Sequence, residues 1–437
     1  PLDIAFEKIF TDLDDYPNFK ILNKKNILIT KNQRLSIAIH RQVRIRFLTL
    51  KEILLKFMKQ PWDKTNPYIK TSLLGGSAQL LLLDKLPDYA VIDHAVEWSK
   101  NNLKKKSNAG VVNAILRKIK NTQRILKFKS IPYNAILRDD GSAIILQEIK
   151  ETEKPILDTA SMSSLPKEVF NRWEYDYGNK TASFLAKHCI CEPPISITNN
   201  NHFEIKTNKN SGNNFTIFNG TKKDLVTYLN KNSLARVQDP HTADSLHLAE
   251  KLSPKIIFDY SAGKGTKTKQ LSELFPNSKI LAHDINTERS YVLKETCSKI
   301  HNAYFISTEE IKSYIGKIDL LLLDVPCSNS GVIPRRPEAK YRLTNKNLEN
   351  LIKLQKQIIA DSIPLLKMNG HILYVTCSIE RKENQDITKW IIKYHPFTVL
   401  EEKLNMPKGL PGEAPSNYAD GGYSALLERS IHAPNWP

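Results

Sequence analysis

The sequence predicts a multidomain protein: an all-α N-terminal bundle, a small α+β middle module and a C-terminal α/β domain. Three observations carry that expectation. Apolar residues recur at helical spacing through residues 1–120. From about residue 236, short strand-like runs alternate with helix-like stretches, the pattern of a parallel sheet covered on both faces. Between them, proline, asparagine and turn residues break both periods. A chain of 437 residues exceeds one ordinary core, and the boundaries are expected at 1–135, 136–235 and 236–437.

The first domain is read from "RLSIAIHRQVRIRFLTLKEILLKFMKQ", "SLLGGSAQLLLLDKL", "DYAVIDHAVEWSKN" and "AGVVNAILRKIKN", each a helix. Its charge is lopsided. The whole chain carries +18, and residues 1–130 alone hold 25 Lys+Arg against 11 Asp+Glu, a net of +14. Residues 20–70 hold 13 basic residues and only Glu52 and Asp63 as acids. Such a region reads as an electrostatic footprint for nucleic acid. Arg41, Arg44, Arg46 and Lys51 are expected to meet phosphates, with Arg335 and Arg336 contributing later in the chain.

Residues 126–165 read as a linker, with Pro132, Pro155 and Pro166, a turn at Asp139-Asp140-Gly141 and an acidic "EIKETEKP". Residues 166–235 read as the α+β module, with a helix over "GNKTASFLAKHC". In the third domain the strands are "KIIFDY", "KILAHDI", "IDLLLLDV" and "HILYVTC". Helices are expected at roughly 267–275, 287–300, 346–366 and 382–394. In such sheets a ligand sits beyond the carboxyl ends of the strands.

The chemistry-bearing residues fall at those ends. After the first strand, "DYSAGKGTKT" offers Gly263 and Gly265 for a tight turn under a bound cofactor. The next strand ends in Asp284, whose carboxylate can accept from both hydroxyls of an adenosine ribose. A nicotinamide-dependent oxidoreductase would share this layout. It would give no role to Cys327 in "LLLLDVPCSNSG" and Cys377 in "ILYVTCSIE", which stand at two later strand ends. Two thiols so placed suit attack on carbon 6 of a cytosine. Carbon 5 then becomes enamine-like and able to take a methyl group from a sulfonium. Asp324, protonated or hydrogen-bonded, could steady the ring, and a cation such as Lys267 would help form a thiolate. Cys189, Cys191 and Cys297 read as packing residues, and no metal site is expected.

"DYSAGKGTKT", "DVPCSNSGVIPRRPEAKYRL", "GHILYVTCSIERKEN" and "DGGYSALLER" resemble the signature segments of the Sun family of RNA cytosine-5 methyltransferases. "LLGGSAQLLLLDKLPDYAVIDHAVEWSK" and "SNAGVVNAILRKI" are similar to that family's NusB-like RNA-binding helical domain, and "PKEVFNRWEYDYG", "PPISITNN" and "VQDP" to its middle region. The resemblance implies a Rossmann-like class I methyltransferase domain, S-adenosyl-L-methionine as cofactor and ribosomal RNA as partner. It makes Cys377 the nucleophile and Cys327 the residue assisting product release. It places Asp324 at the target base, also lining the cofactor site, with Lys267 supporting it. Ser261, Ala262, Gly263, Lys264, Gly265, Thr266 and Lys267 would hold the methionine part of the cofactor and Asp284 the ribose.

The chain departs from the family's pattern at three places. Lys264 stands where a proline is usual, Thr198 where an arginine precedes Asn200, and the adenine-side acid is replaced in "FISTEE" by Ser307 or Glu309. Two further readings stay open: the same chemistry on transfer RNA, and an RNA-binding assembly factor with a decayed cofactor site. A hydrophobic content of 41%, with no apolar run of about 18 residues, predicts no membrane span. Five cysteines make no disulfide framework, so a cytoplasmic monomer with free thiols is expected.

Overall fold

The structure, a computed structural model, describes residues 2–19, 31–84, 86–125, 134–148, 157–198, 207–208, 215–231 and 233–430. The chain divides into two compact units. One takes residues 1–192, 333–344 and 410–413; the other takes 193–332, 345–409 and 414–437. This differs from boundaries at 135 and 235, because residues 136–192 group with the N-terminal helices and 193–235 with the C-terminal sheet. Part of the expected linker, residues 149–156, lies outside the described residues, as do Pro132, Asn200 and residues 20–30 of the basic stretch.

The first unit opens with the helices Leu2–Asp15, Lys31–Phe57, Pro67–Leu82, Asp88–Asn102 and Gly110–Ile119, and Lys167–Tyr177 and Asn179–His188 follow in it. Pro67–Leu82 is apolar nearly all round and therefore central, meeting Phe6, Leu50, Trp98 and Leu116 in one core. Its start is set by Asn66, whose side chain accepts from Tyr68 N at 2.9 Å, with Pro67 in the first turn. The turn expected at Asp139-Asp140-Gly141 joins the antiparallel strands Ala135–Leu137 and Ala143–Leu146, with Gly141 at φ 76°.

Lys31–Phe57 breaks at Arg46 (φ −116°, ψ 17°). A break frees backbone groups that must find other partners. Lys340 Nζ donates to Ile45 O at 2.6 Å and Tyr341 Oη to Arg44 O at 2.7 Å. On the donor side, Ser164 Oγ accepts from Leu48 N at 2.8 Å. Thus residues 333–344, which follow the Cys327 loop in sequence, complete the helical unit.

The second unit is built on a seven-stranded sheet in the order Phe397–Asn405, Gly422–Arg429, Leu366–Thr376, Ile318–Asp324, Ile256–Asp259, Lys279–Ala282 and Ala303–Phe305. The last five are parallel, but Gly422–Arg429 pairs antiparallel with both its neighbours, so the sheet is mixed rather than purely parallel. Phe397–Asn405 is an edge strand that leaves Glu401, Glu402 and Lys403 exposed, unlike the continuous apolar runs of the buried strands. Alternate strand residues pack on opposite faces: Ile257, Leu320 and Leu373 against Leu271 and Leu293, and Phe258, Leu321 and Ile372 against Ile359 and Ile391. The covering helices include Thr266–Leu274, Thr287–Cys297, Asn345–Ser362 and Gln385–Tyr394. The strand order reverses between Ile256–Asp259 and Ile318–Asp324, the place where ligands bind in such sheets.

Candidate active site

Beyond Ile256–Asp259 the chain turns through Ser261 to Gly265 and enters the helix that starts at Thr266. Gly263 and Gly265 adopt φ 61° and 89°, a conformation that side chains resist. At Gly265 a Cβ would meet Thr296 Cγ2 at 2.9 Å, so this turn packs on the next helix. At Gly263 nothing lies within 4 Å of that position, which leaves the loop open on its outer side. Ala262 is buried, Ser261 half-buried, and Lys264 and Thr266 are exposed.

Asp284, at the end of the neighbouring strand, is buried and braces this loop. Its Oδ2 accepts from Gly263 N and its Oδ1 from Asn286 N, both at 2.9 Å. Each oxygen keeps a second acceptor site. Asp259 is fully buried at the first strand's end; Thr268 Oγ1 donates to its Oδ2 at 2.7 Å, while its Oδ1 has no partner among the described residues. Burial pushes this carboxyl up to about 7. An open glycine turn, a carboxylate with spare lone pairs and an orphaned buried oxygen together fit an adenosyl cofactor. Ser307 is half-buried and donates its backbone N–H to Glu310 at 2.9 Å, and Glu309 is exposed.

The pairing of Ile318–Asp324 with Leu366–Thr376 sets Asp324 beside Val375, so the two strands end level and their loops meet. Cys327 Sγ and Cys377 Sγ lie 3.2 Å apart. Lys267 reaches from the first turn of its helix and donates to Asp324 Oδ2 at 2.7 Å. The Lys267 pKa balances burial, which lowers it, against Asp324 and then Cys377 and Asp259, whose negative charges raise it; the net is upward. Cys327 is held well above an ordinary thiol, first by its hydrogen bond with Cys377, then by burial, then by the charges of Cys377 and Glu383.

Three residues that the sequence left without a role hold this arrangement. Asn329, at φ 60°, donates to Cys327 O at 2.9 Å and accepts from Cys377 Sγ at 3.1 Å. Glu383 and Gln355 lie beneath both loops, fully buried. An asparagine before Ser-Gly in a loop, and a carboxylate in the buried run after "TCS", were the available signals. Cys189, Cys191 and Cys297 are buried, and burial pushes each thiol up to about 12.

The expected RNA contacts need correction at two positions. Arg44 is buried, and its Nε and Nη2 each donate to Asp12 at 2.5 Å. Arg46, 1% exposed at the helix break, donates to Met162 O and Leu137 O at 2.8 and 2.7 Å. Both guanidiniums serve the interior and neither can reach a phosphate. Arg41 pairs with Glu192, and the Lys51 ammonium lies 5.6 Å from the centre of the Trp62 ring. Arg335 is half-buried and Arg336 exposed. Exposed cations that the helical pattern did not single out are Lys104, Lys105, Lys106, Arg117, Lys118 and Lys120.

Comparison with known proteins adds to this geometry. Residues 246–415 match the model of the family described as 16S rRNA methyltransferase RsmB/F, and residues 5–121 match the NusB family. The chain is 25% identical to a protein named probable ribosomal RNA small subunit methyltransferase B of Bacillus subtilis, over 97% of this chain and 94% of that one. It is 32% identical to ribosomal RNA small subunit methyltransferase B of Pectobacterium carotovorum, over 43% of this chain and 44% of that one. In fold it is similar to the crystal structure of PH0851, with TM-score 0.66 and 20% identity, covering 98% of this chain and 99% of that one. A methyltransferase homologue from Pyrococcus horikoshii gives TM-score 0.51 at 19% identity, over 62% of this chain and 98% of that one. Among the described residues no helix is long and apolar enough to cross a membrane. The paired thiols, the cofactor turn and these matches agree: residues 246–415 form a region of the 16S rRNA methyltransferase RsmB/F family, whose members depend on S-adenosylmethionine, and residues 5–121 form a NusB-family region.

Proposed function

We propose that this protein methylates carbon 5 of a cytosine in 16S ribosomal RNA through a covalent bond between Cys377 and carbon 6. The observation that carries the reading is the meeting of Cys327 and Cys377 at 3.2 Å beside the Lys267–Asp324 pair. The cofactor, when bound, supplies an electrophilic methyl group on a sulfonium. Ser261 to Lys267 and Asp284 are the residues that would hold it.

Cys377 gives up its proton to solvent, with the Lys267 ammonium on its side of the pair. The thiolate adds to carbon 6, and Asp324 contacts the base as negative charge spreads into the ring. Once Cys377 is bound to carbon, its hydrogen bond to Cys327 and its charge are both gone. Those are the first and third causes that hold the Cys327 pKa up. Cys327 can then lose its proton to solvent and, as thiolate, remove the carbon-5 proton. The electrons of that C–H bond re-form the ring double bond and expel Cys377 as thiolate. The two cysteines act in order because the first step relieves what restrains the second. The target base must leave its stack to reach these atoms.

The test is methyl transfer to naked 16S rRNA and to transfer RNA, both from cells deleted for the gene, mapped by bisulfite sequencing. A single protected cytosine in 16S rRNA is expected. Methylation confined to transfer RNA would move the substrate, and no 5-methylcytosine in either would sink the reading.

A further inference from the structure

Beneath the two thiols lies a carboxylate that belongs to neither loop's tip. Glu383 is 0% exposed, yet both its oxygens are fully engaged. Its Oε1 accepts from Ser328 N and from Gln355 Nε2, each at 2.9 Å. Its Oε2 accepts from Ser378 Oγ at 2.6 Å and from Ser328 Oγ at 2.5 Å. Ser328 directly follows Cys327, and Ser378 directly follows Cys377. Gln355 also donates to Pro326 O at 3.0 Å, just ahead of Cys327. Ser330 Oγ extends the set, 3.0 Å from Ser378 Oγ and accepting from Ile379 N at 2.9 Å.

Two N–H donors on Oε1 and two serine hydroxyls on Oε2 are a set that suits the ionised carboxylate. Burial pushes the Glu383 pKa up, while the bonds from Ser328 and Ser378 pull it back. A buried charge is retained in a fold only where its hydrogen bonds repay the desolvation. Here those bonds join the residues next to both reactive thiols.

Resting on the two-thiol reading above, we propose that Glu383 is a positioning residue: its carboxylate locks the Cys327 loop to the Cys377 loop, and its charge beside Cys327 gives the two thiols different reactivity. The charged and titratable groups around the pair divide in the same sense. Glu383 and Tyr374 face Cys327, with Glu380 beside Glu383. Lys267 faces Cys377, with Asp324 and Asp259 behind it. The asymmetry between two chemically identical side chains thus comes from an anion on one side and a cation on the other.

The test uses the full-length protein without RNA or cofactor. Iodoacetamide labelling at pH 8 is followed separately at Cys327 and Cys377 by peptide mass spectrometry. Glu383→Gln keeps the shape and removes the charge. It should raise Cys327 labelling relative to Cys377 by about tenfold, the effect of a thiol midpoint lower by one pH unit. An unchanged ratio in a variant that melts like the wild type overturns the electrostatic part. Ser328→Ala keeps the charge and removes one arm, which guards against a Glu383→Gln protein that does not fold. It should keep the labelling ratio and slow single-turnover methyl transfer by about tenfold with cofactor affinity unchanged; wild-type transfer overturns the positioning part. Normal methylation by Cys377→Ala would instead defeat the two-thiol reading and leave the labelling result standing.

Discussion

Cys327 Sγ lies 3.2 Å from Cys377 Sγ, although 50 residues separate them in sequence. Their surroundings differ, so their substitutions should fail differently. Cys377→Ala should abolish methylation and form no covalent complex. Cys327→Ala should form the carbon-6 bond, transfer the methyl group and stall, because nothing removes the carbon-5 proton. Incubated with RNA and cofactor, it should accumulate a protein–RNA adduct that survives denaturing electrophoresis. Trapping by the Cys377 variant would reverse the assignment.

Asp284 combines two duties, bracing Gly263 N and Asn286 N while offering its remaining lone pairs to a ribose. Asp284→Ala should weaken S-adenosylmethionine binding by roughly 1–3 kcal/mol, the scale of losing a charged hydrogen-bond partner. Titration calorimetry measures this directly, and unchanged affinity would place the cofactor elsewhere.

Truncating the chain near residue 130 would cut through a unit that runs to residue 192, so RNA docking is better probed by charge. Replacing Lys104, Lys105 and Lys106 by alanine should reduce the slope of log affinity against log salt by roughly 2, as phosphate contacts are lost. Arg44→Ala should leave that slope alone. It should cost about 1–3 kcal/mol in urea unfolding, because the buried Asp12 carboxylate loses its guanidinium and keeps only His40. A flattened salt slope in the Arg44 variant would return that residue to the RNA surface.

Asp259 gives the stability a pH dependence of definite sign. Its folded pKa, about 7, lies above the roughly 3.9 of an exposed aspartate. The folded state therefore holds the proton more tightly than the unfolded chain. The stabilisation is fully present below about pH 4 and is lost as pH rises through about 7. Thermal melts should show wild-type Tm falling more steeply between about pH 4 and 7 than that of Asp259→Asn. Parallel curves would mean that Asp259 is ionised throughout.

What the sequence made legible was whatever local pattern decides. Four of the five parallel strands and their helices came from periodicity, the three-residue Ala303–Phe305 being too short to show one, and Asp324, Cys327 and Cys377 were placed together because strand ends of one parallel sheet must share an edge. Arg44 and Arg46 misled for a physical reason: helical spacing tells which residues share a face, not which face meets a carboxylate from another helix. Asp12, 32 residues away, decided the fate of Arg44. Glu383 was hidden in the opposite way. A charged residue in a polar-looking "IERKEN" reads as surface, and only tertiary packing brings Ser328, Gln355 and Ser378 to it. The antiparallel strands Phe397–Asn405 and Gly422–Arg429 depend on each other and on Leu366–Thr376, so neither announces itself alone.

The break at Arg46 has a consequence for how the protein is made. The helix Lys31–Phe57 leaves the ribosome early, but Lys340 and Tyr341, which satisfy Ile45 O and Arg44 O, are translated some 300 residues later. At ordinary elongation rates the helical unit waits on the order of twenty to sixty seconds with those carbonyls turned to water. A nascent chain released before residue 340 would lack both the closing residues of its first unit and the Cys377 strand. Fragments ending there should expose Phe19 and Phe47, the rings that Tyr341 covers, to proteases. The last segment of the same unit, residues 410–413, lies beyond both reactive cysteines in the order of synthesis. The helical unit is thus completed only after the loops that carry Cys327 and Cys377 have been made.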